Sequence, residues 1–596
     1  MRILFLTHAF NSLTQRLYVE LVTAGHEVSV EFDINDRVTE EAVALWRPEL
    51  VVAPFLKRRI PESVWRRHRC IVIHPGIKGD RGPSALDWAI LEGEPEWGVT
   101  ALEANGEMDA GDVWASVGFP MREAAKSSLY RNELTEAAVA ALRLTIMRIA
   151  RGDAPEALST PDPNVRGRLR PAMRQSDRAI DWHADDTRRV LRKLRASDGH
   201  PGVLDDVLGE RVYLYDAHPE GKLRGEAGAV VAQRDGAICR ATVDGAVWIT
   251  HLKRARGDEP TLKLPAAMVL GERLAGVPEV PLAPDAIVGW PTWRPIRYEE
   301  AGGVGFLHFA FYNGAMGTAH CEALRTALRA ARARPTRVIA LMGGPDFWSN
   351  GIHLHRIEAS GRPAEASWEN INAIDDLVRE IIDTDGQLTI AAMHGNAGAG
   401  GVFLALAADH VWARTGIILN PHYRAMGNLY GSEYWTYLLP RRVTPERAQT
   451  LTQGRLPIDA RQATAEGLVD DHFGATPEAF RAEVMRRAQA LAADPEFERR
   501  LADKSARRAA DEAVRPLEAY RAEELARMKL NFFGFDPSYH VARYHFVYKV
   551  PRSRTPFWLA RHRVGAANGL GAGLAAAKRG VERVPGALAK CASSTP

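Results

Sequence analysis

The stretch from Ile71 to Asp112, IVIHPGIKGDRGPSALDWAILEGEPEWGVTALEANGEMDAGD, restricts the fold more than any other part of the chain. An apolar run, CIVI, ends on His74, where a strand would stop and a Pro-Gly turn begin. A loop, a helix over SALDWAILEG and a strand over WGVTALEA follow, and the next turn carries Asp109 and Asp112. In open α/β sheets, reacting side chains collect outside the carboxyl ends of the strands. A His and an Asp on two neighbouring ends meet in one crevice, as a proton-transfer pair.

The preceding residues alternate strand and helix: RILFLTH, TQRLYVELVTAG, HEVSVEF, TEEAVALW, LVVAPFL. That order predicts a parallel sheet covered on both faces. Gln15 and Arg16, in the loop entering the first helix, sit at the ligand edge, where a helix N-terminus favours an anion. Capping by Ser12 or Thr14 explains the same polar loop. No GxGxxG follows the first strand, which disfavours a nicotinamide dinucleotide.

His-Pro, a loop ending Arg-Gly, a helix reading AxxWAIxxG, then GVT and DxGD together resemble the 10-formyltetrahydrofolate-dependent formyltransferases and hydrolases. The resemblance implies that His74 and Asp109 are catalytic and that Gln15, Val72, Arg81, Gly82 and Asp112 surround the formylfolate. The family's asparagine position falls on Val72, so the amide that polarises the formyl carbonyl is missing.

The 596 residues predict about four domains at ~150 residues each, or fewer large ones. With 77 basic and 74 acidic side chains, no global field selects nucleic acid or an anionic membrane. The four cysteines lie far apart without a CxxC, which argues for a reducing compartment and against disulfides or a zinc site. The N-terminus reads as a first strand, and no apolar run approaches the ~20 residues of a membrane span. The expectation is a cytoplasmic protein without a metal, acting on small molecules.

Residues 1–155 form the first expected domain, and the Pro- and Arg-rich stretch 156–176 a linker. Short strands broken by Gly and Asp over 177–280 suggest a small β-barrel. The pattern IDW…RA…PG there is similar to the oligonucleotide-fold-like C-terminal domain of formyltransferases, which grips tRNA in the tRNA-specific members. Arg188, Arg189, Arg192, Lys193 and Arg195 suit that role or, more simply, a solvated helix face. A second linker, 281–300, precedes a fresh α/β unit over 301–553, and 554–596 reads as a loosely ordered Gly/Ala/Arg-rich tail.

In the 301–553 unit, FWSNG and the strand-turn-helix LTIAAMHGNAGAGGVFLALAADH resemble the crotonase (enoyl-CoA hydratase/isomerase) superfamily. The resemblance implies an oxyanion hole for a thioester built from the Asn350 and Gly400 N–H groups. Small residues let backbone touch ligand, and the helix N-terminus adds partial positive charge. Where hydratases carry two glutamates, this chain has Phe403 and Tyr423. Adding water needs an acid and a base astride the double bond, so hydration is not the expected reaction. Tyr423 and Glu433 remain to move one proton, and Glu433 is equally placed to be an ordinary first-turn helix acid.

Both halves on one chain resemble the hydrogenase maturation proteins that fuse these two modules. That likeness implies formyl transfer from 10-formyltetrahydrofolate to coenzyme A and decarbonylation of formyl-CoA to carbon monoxide, with hydrogenase assembly proteins as partners. Arg16, Arg195, Ser197, Arg543 and Lys549 are the expected CoA contacts, with a tunnel joining the sites. A formylfolate hydrolase or a formyltransferase with a fused acyl-CoA domain would act without CoA dependence. A scaffold would bind folate and CoA and turn over neither.

Overall fold

The computed structural model describes residues 1–158 and 165–564. The amino-terminal strands are apolar because helices cover both faces of their sheet. Ile3, Phe5, Val28, Val30 and Ile73 pack beneath the helices Ser12–Thr23 and Glu133–Arg151, while Leu4, Leu6, Val51 and Ala53 face Asp36–Trp46. The strand order is Glu27–Phe32, Arg2–Thr7, Leu50–Phe55, Cys70–His74, Glu96–Glu103, Val113–Pro120.

The first four strands are parallel, as expected, but Glu96–Glu103 runs antiparallel to both of its neighbours. The turn 104–112 is too short for a crossover, which takes about a dozen residues, so it closes a hairpin with Val113–Pro120. With Glu96–Glu103 reversed, Glu103 pairs beside Ile71, at the start of the His74 strand, not at its end. Asp109 reaches His74 because the turn folds back along the sheet, with φ +53° at Asp109 itself.

Residues 203–265 form an antiparallel ladder whose first and last strands are not paired to one another, as in a partly open barrel. One face packs on Val190, Leu191 and Leu194 of the helix Thr187–Ala196. The third unit opens with a hairpin, Ile296–Ala301 and Val304–Phe309, and continues parallel through Val338–Met342, Leu388–Met393, His410–Arg414 and Asp471–Phe473. A four-stranded sheet begins with Phe347–Ser349 and Asn396–Gly398, the strands carrying the two glycine turns. Helices Pro477–Ala492, Phe497–Val514, Leu517–Phe533 and Ser538–Val547 follow. No helix among the described residues is long and apolar enough to cross a membrane.

Buried polar bridges join the first and third units. Arg414 donates to Asn132 Oδ1 at 2.6 Å, and Asp346 accepts from Ser128 Oγ at 2.7 Å and Asn132 Nδ2 at 3.0 Å. Asn420 donates to Gln15 at 3.0 Å, and Arg461 pairs with Glu20 at 2.6 Å.

The chain end departs from expectation. Residues 554–564 are not loose: the Leu559 carbonyl accepts from the Val30 N–H at 2.9 Å on the edge strand of the first sheet. There the buried Glu31 receives His562 Nε2 at 2.9 Å, Arg563 and Thr555. The remaining expected tail, 565–596, lies outside the described residues. This clasp predicts that Glu31→Ala, which strands a buried guanidinium, lowers stability by about 3–5 kcal/mol in denaturant unfolding. Arg554→Ala, an exposed partner of Glu41, changes it by under about 0.5 kcal/mol. Equal effects would contradict a buried clasp.

Candidate active site

His74 ends its strand with 3% exposure, a carboxylate on each side of its ring. Nε2 lies 3.0 Å from Asp80 Oδ2, and Nδ1 lies 3.4 Å from Asp109 Oδ2. Asp80 is fully buried and accepts from Arg170 Nε at 2.9 Å; Arg170 continues to Glu92 at 2.7 Å. The imidazole is thus oriented from behind by a buried acid and offered at the front to Asp109, whose oxygen also accepts the Gly82 N–H at 3.2 Å. Ring orientation by a buried carboxylate suits a proton-transferring histidine.

Asp80 and Arg170 were not expected here. Arg170 belongs to the stretch read as linker, brought in because that segment pairs with Arg81: Arg170 N–H to Arg81 O is 2.8 Å. Gly82 is held at φ +112°, and a Cβ there would strike the Arg170 carbonyl. Of the other expected folate contacts, Val72 is half-buried, Arg81 lies 3.5 Å from Glu107, and Asp112 is exposed with its carbonyl paired to the Glu103 N–H. Gln15 donates to the Phe10 carbonyl at 2.9 Å and bridges to Asn420, at the wall between the two units.

The second centre lies in the third unit. Helix Gly400–Leu406 starts directly after Ala399, and a Cβ at Gly400 would lie 2.0 Å from Glu433 Oε1. Only glycine admits that carboxyl. Glu433 Oε2 lies 2.6 Å from the Tyr423 hydroxyl, which also reaches the Ser432 carbonyl at 3.0 Å. Glu433 is therefore not an exposed helix-start acid. It stands in a turn where Gly431, Glu433 and Tyr434 all have positive φ, at 95°, 62° and 56°. Phe403 stacks on Tyr423, with ring centroids 5.4 Å apart.

The expected oxyanion pair needs one correction. The Asn350 N–H donates to the Gly314 carbonyl at 2.7 Å and is not free to meet a thioester. The turn's free donor is Ile352, whose N–H has no acceptor among the described residues. The Gly400 N–H is free on the same terms, and the neighbouring Gly351 approaches it closely enough that a Cβ there would lie 3.6 Å from the Gly400 nitrogen.

The expected CoA contacts divide. Arg16 is buried, donating to the Gly416 carbonyl at 2.9 Å and pairing with Glu20 and Glu136. Arg543 is likewise engaged, with Glu358 at 2.8 Å. Ser197 is buried with an unpartnered hydroxyl, beside Asp198 with an unpartnered Oδ1. Arg195 lies 3.9 Å from Glu123, and Lys549 over the Phe546 ring at 4.2 Å. On the same helix as Arg195, Arg188 reaches Glu123 and Lys193 reaches the buried Asp185. These cations hold neighbouring acids.

Burial dominates the protonation of the second centre. It pushes Glu524, which accepts from the Tyr434 and Thr436 N–H groups, up to about 8. Glu433 is raised by burial and then by the charge of Asp375, and Asp375 is itself raised by burial. In a raised carboxyl the folded state keeps a proton that the unfolded chain releases, so its stabilising contribution is present below the ordinary carboxyl range and lost as pH rises through the folded value. Between about pH 5 and about pH 9 the melting temperature of the wild type is therefore expected to fall relative to that of Glu433→Gln, which has no such proton to lose. Identical pH profiles, or a relative rise, would contradict the assignment.

Comparison with known proteins agrees with this two-centred architecture. The formyl transferase family model matches residues 12–146, the formyl transferase C-terminal domain 172–264, and the enoyl-CoA hydratase/isomerase model 312–531. Hydrogenase maturation factor HoxX of Bradyrhizobium diazoefficiens is 57% identical over 96% of this chain and 100% of its own length. The crystal structure of HypX from Aquifex aeolicus in complex with tetrahydrofolic acid superposes with a TM-score of 0.91 at 50% identity, covering 94% of this chain and 99% of that one. Methionyl-tRNA formyltransferase of Halalkalibacterium halodurans is 26% identical over 37% of this chain and 70% of its own. The chain belongs to the HypX/HoxX family of hydrogenase maturation factors, enzymes that join a formyltransferase half to a crotonase-like half.

Proposed function

We propose that this protein makes carbon monoxide for a [NiFe]-hydrogenase active site in two steps, at two facing centres. At the first, His74 and Asp109 carry the proton while the CoA thiol attacks the formyl carbon of 10-formyltetrahydrofolate. The thiol proton ends on N10 and the formyl group on sulfur. At the second, the formyl-CoA oxygen lies against the Gly400 and Ile352 N–H groups. Glu433 takes the formyl proton, the C–S pair leaves with sulfur, and the carbon keeps its C–H pair as the lone pair of carbon monoxide. Tyr423 then passes the proton to the thiolate.

The buried Glu433–Tyr423 pair pressed against Gly400 carries this reading. It is an acid–base pair, and Phe403 and Tyr423 stand where hydratases carry the two glutamates that activate water. The complex of Aquifex aeolicus HypX with tetrahydrofolic acid supports folate at the first centre. The Gln15–Asn420 bridge supports a short path for the pantetheine arm, since Asn420 also accepts the Ala399 N–H beside Gly400. The Val72 side chain contributes no donor, so polarisation of the formylfolate carbonyl falls to other groups.

Purified protein, incubated anaerobically with 10-formyltetrahydrofolate and CoA, is expected to convert a reduced haem protein to its carbonyl form only when CoA is present. Tyr423→Phe is expected to accumulate formyl-CoA instead. Formate without carbon monoxide would indicate a hydrolase, and binding of both ligands without turnover a scaffold. In the first half-reaction, Asp80→Asn is expected to slow formyl-CoA formation by about 10²-fold or more. The exposed Asp112→Asn is expected to have a several-fold effect at most, and the reverse ranking would contradict the assigned geometry.

A further inference from the structure

The turn carrying Glu433 is in an unfavourable conformation. Two consecutive non-glycine residues in the left-handed region bring Cβ against the following carbonyl and are sterically costly. Something must hold them, and two buried carboxylates from separate helices do. Glu524, on Leu517–Phe533, takes the Tyr434 and Thr436 N–H groups at 2.9 and 2.8 Å. Asp375, on Pro363–Ile382 and fully buried, takes the Glu433 N–H at 2.8 Å and the Ser432 hydroxyl at 2.6 and 2.8 Å. Unlike Glu524, Asp375 touches the backbone of the proposed catalytic residue itself. An aspartate at 0% exposure inside a helix is costly unless its charge is used or paired. Its cation, Arg521, binds the neighbouring Asp376 at 2.7 Å instead.

We propose that Asp375 is the positioning residue of the second centre: its carboxylate fixes the left-handed turn that aims Glu433 at Gly400 and sets one negative charge behind the Glu433 carboxyl. This rests on the proposed decarbonylation. Both carboxyls accept a backbone N–H and a hydroxyl, Glu433 from Ser432 at 3.2 Å and Tyr423 at 2.6 Å. But Asp375 has the shorter N–H contact, at 2.8 Å, takes the Ser432 hydroxyl on both oxygens and alone feels Arg521, so Asp375 is the member of the pair that ionises. The second proton therefore stays on Glu433. The other groups bearing on Glu433 are the Tyr423 hydroxyl, Glu524, and Cys321 on Thr318–Arg332. Among these no cation relieves the charge. A carboxyl that must take a proton from carbon and return it towards sulfur works best when its affinity for protons lies near the ambient pH, and an ordinary glutamate is too weak a base. The Asp375 charge supplies that adjustment.

The direct test is the carboxylic-acid C=O infrared band of Glu433 in the full chain, assigned by its loss in Glu433→Gln and followed against pH. Asp375→Asn keeps an acceptor for the turn and removes the charge, and Asp375→Ser does so with a smaller side chain, should the amide not fold. In either, the band is expected to disappear at a pH lower by about one unit or more. The acid limb of carbon monoxide release from formyl-CoA is expected to move with it, while formyl transfer to CoA is unchanged. Asp376→Asn, which removes a charge held by Arg325 and Arg521, is expected to leave the band in place. An unshifted band in the Asp375 variants, or an equal shift in Asp376→Asn, would overturn the proposal. Absence of carbon monoxide from the wild type would sink the functional reading alone, because the band reports on the turn without turnover.

Discussion

A few polar contacts, led by the buried Arg414–Asn132 bond, fix the first α/β unit of this protein against the third. Arg414 to Asn132, Asp346 to Ser128 and Asn132, and Asn420 to Gln15 all run from the helices and loops beside the first sheet to strand ends of the third unit. Breaking one partner of such a pair leaves a buried charge or amide unsatisfied, so the relative placement of the halves is specified, not merely tolerated. The Glu31–His562–Arg563 clasp adds a further tie, holding residues beyond the crotonase-like half against the outer strand of the first sheet.

Within that frame the two centres use opposite devices. At the first, His74 lies between Asp80 and Asp109, and the buried acid is matched by a buried arginine. At the second, three buried carboxyls stand together: Glu433, Asp375 and Glu524. The first arrangement keeps charges paired and fixes an orientation. The second favours the protonated form of Glu433 and fixes a strained turn. One suits attack on a formyl carbon with proton shuttling, the other a reaction in which no water takes part.

Much of this was legible in the sequence. The His74–Asp109 relation came from a motif spread over forty-odd residues, Tyr423 from a place where a hydratase glutamate is missing, and Glu433 from the segment GSEYW that follows. The reversal of Glu96–Glu103 was less visible, because the short turn 104–112 fixes its hairpin with Val113–Pro120 and says nothing of its direction beside Cys70–His74. Asp80 and Arg170 escaped because which of several charged letters turns inward depends on a pairing between Arg81 and a distant segment. Asn350 was chosen two residues early, since only the Gly314 carbonyl shows that its N–H is spent. Asp375 and Glu524 sit on long amphipathic helices, where an acid reads as solvent-facing until the packed neighbour is seen. Residues 554–564 had the composition of a tail, and their docking depends on one buried glutamate in a strand.

If the two centres work as a relay, one formyl carbon passes from folate to carbon monoxide without leaving the protein. Isotope dilution decides this: a labelled formyl group on 10-formyltetrahydrofolate, supplied with CoA in the presence of excess unlabelled formyl-CoA. The predicted product is carbon monoxide that retains the folate label almost undiluted. Carbon monoxide carrying the isotope ratio of the bulk formyl-CoA would contradict the relay, showing that the two centres exchange their intermediate through solution.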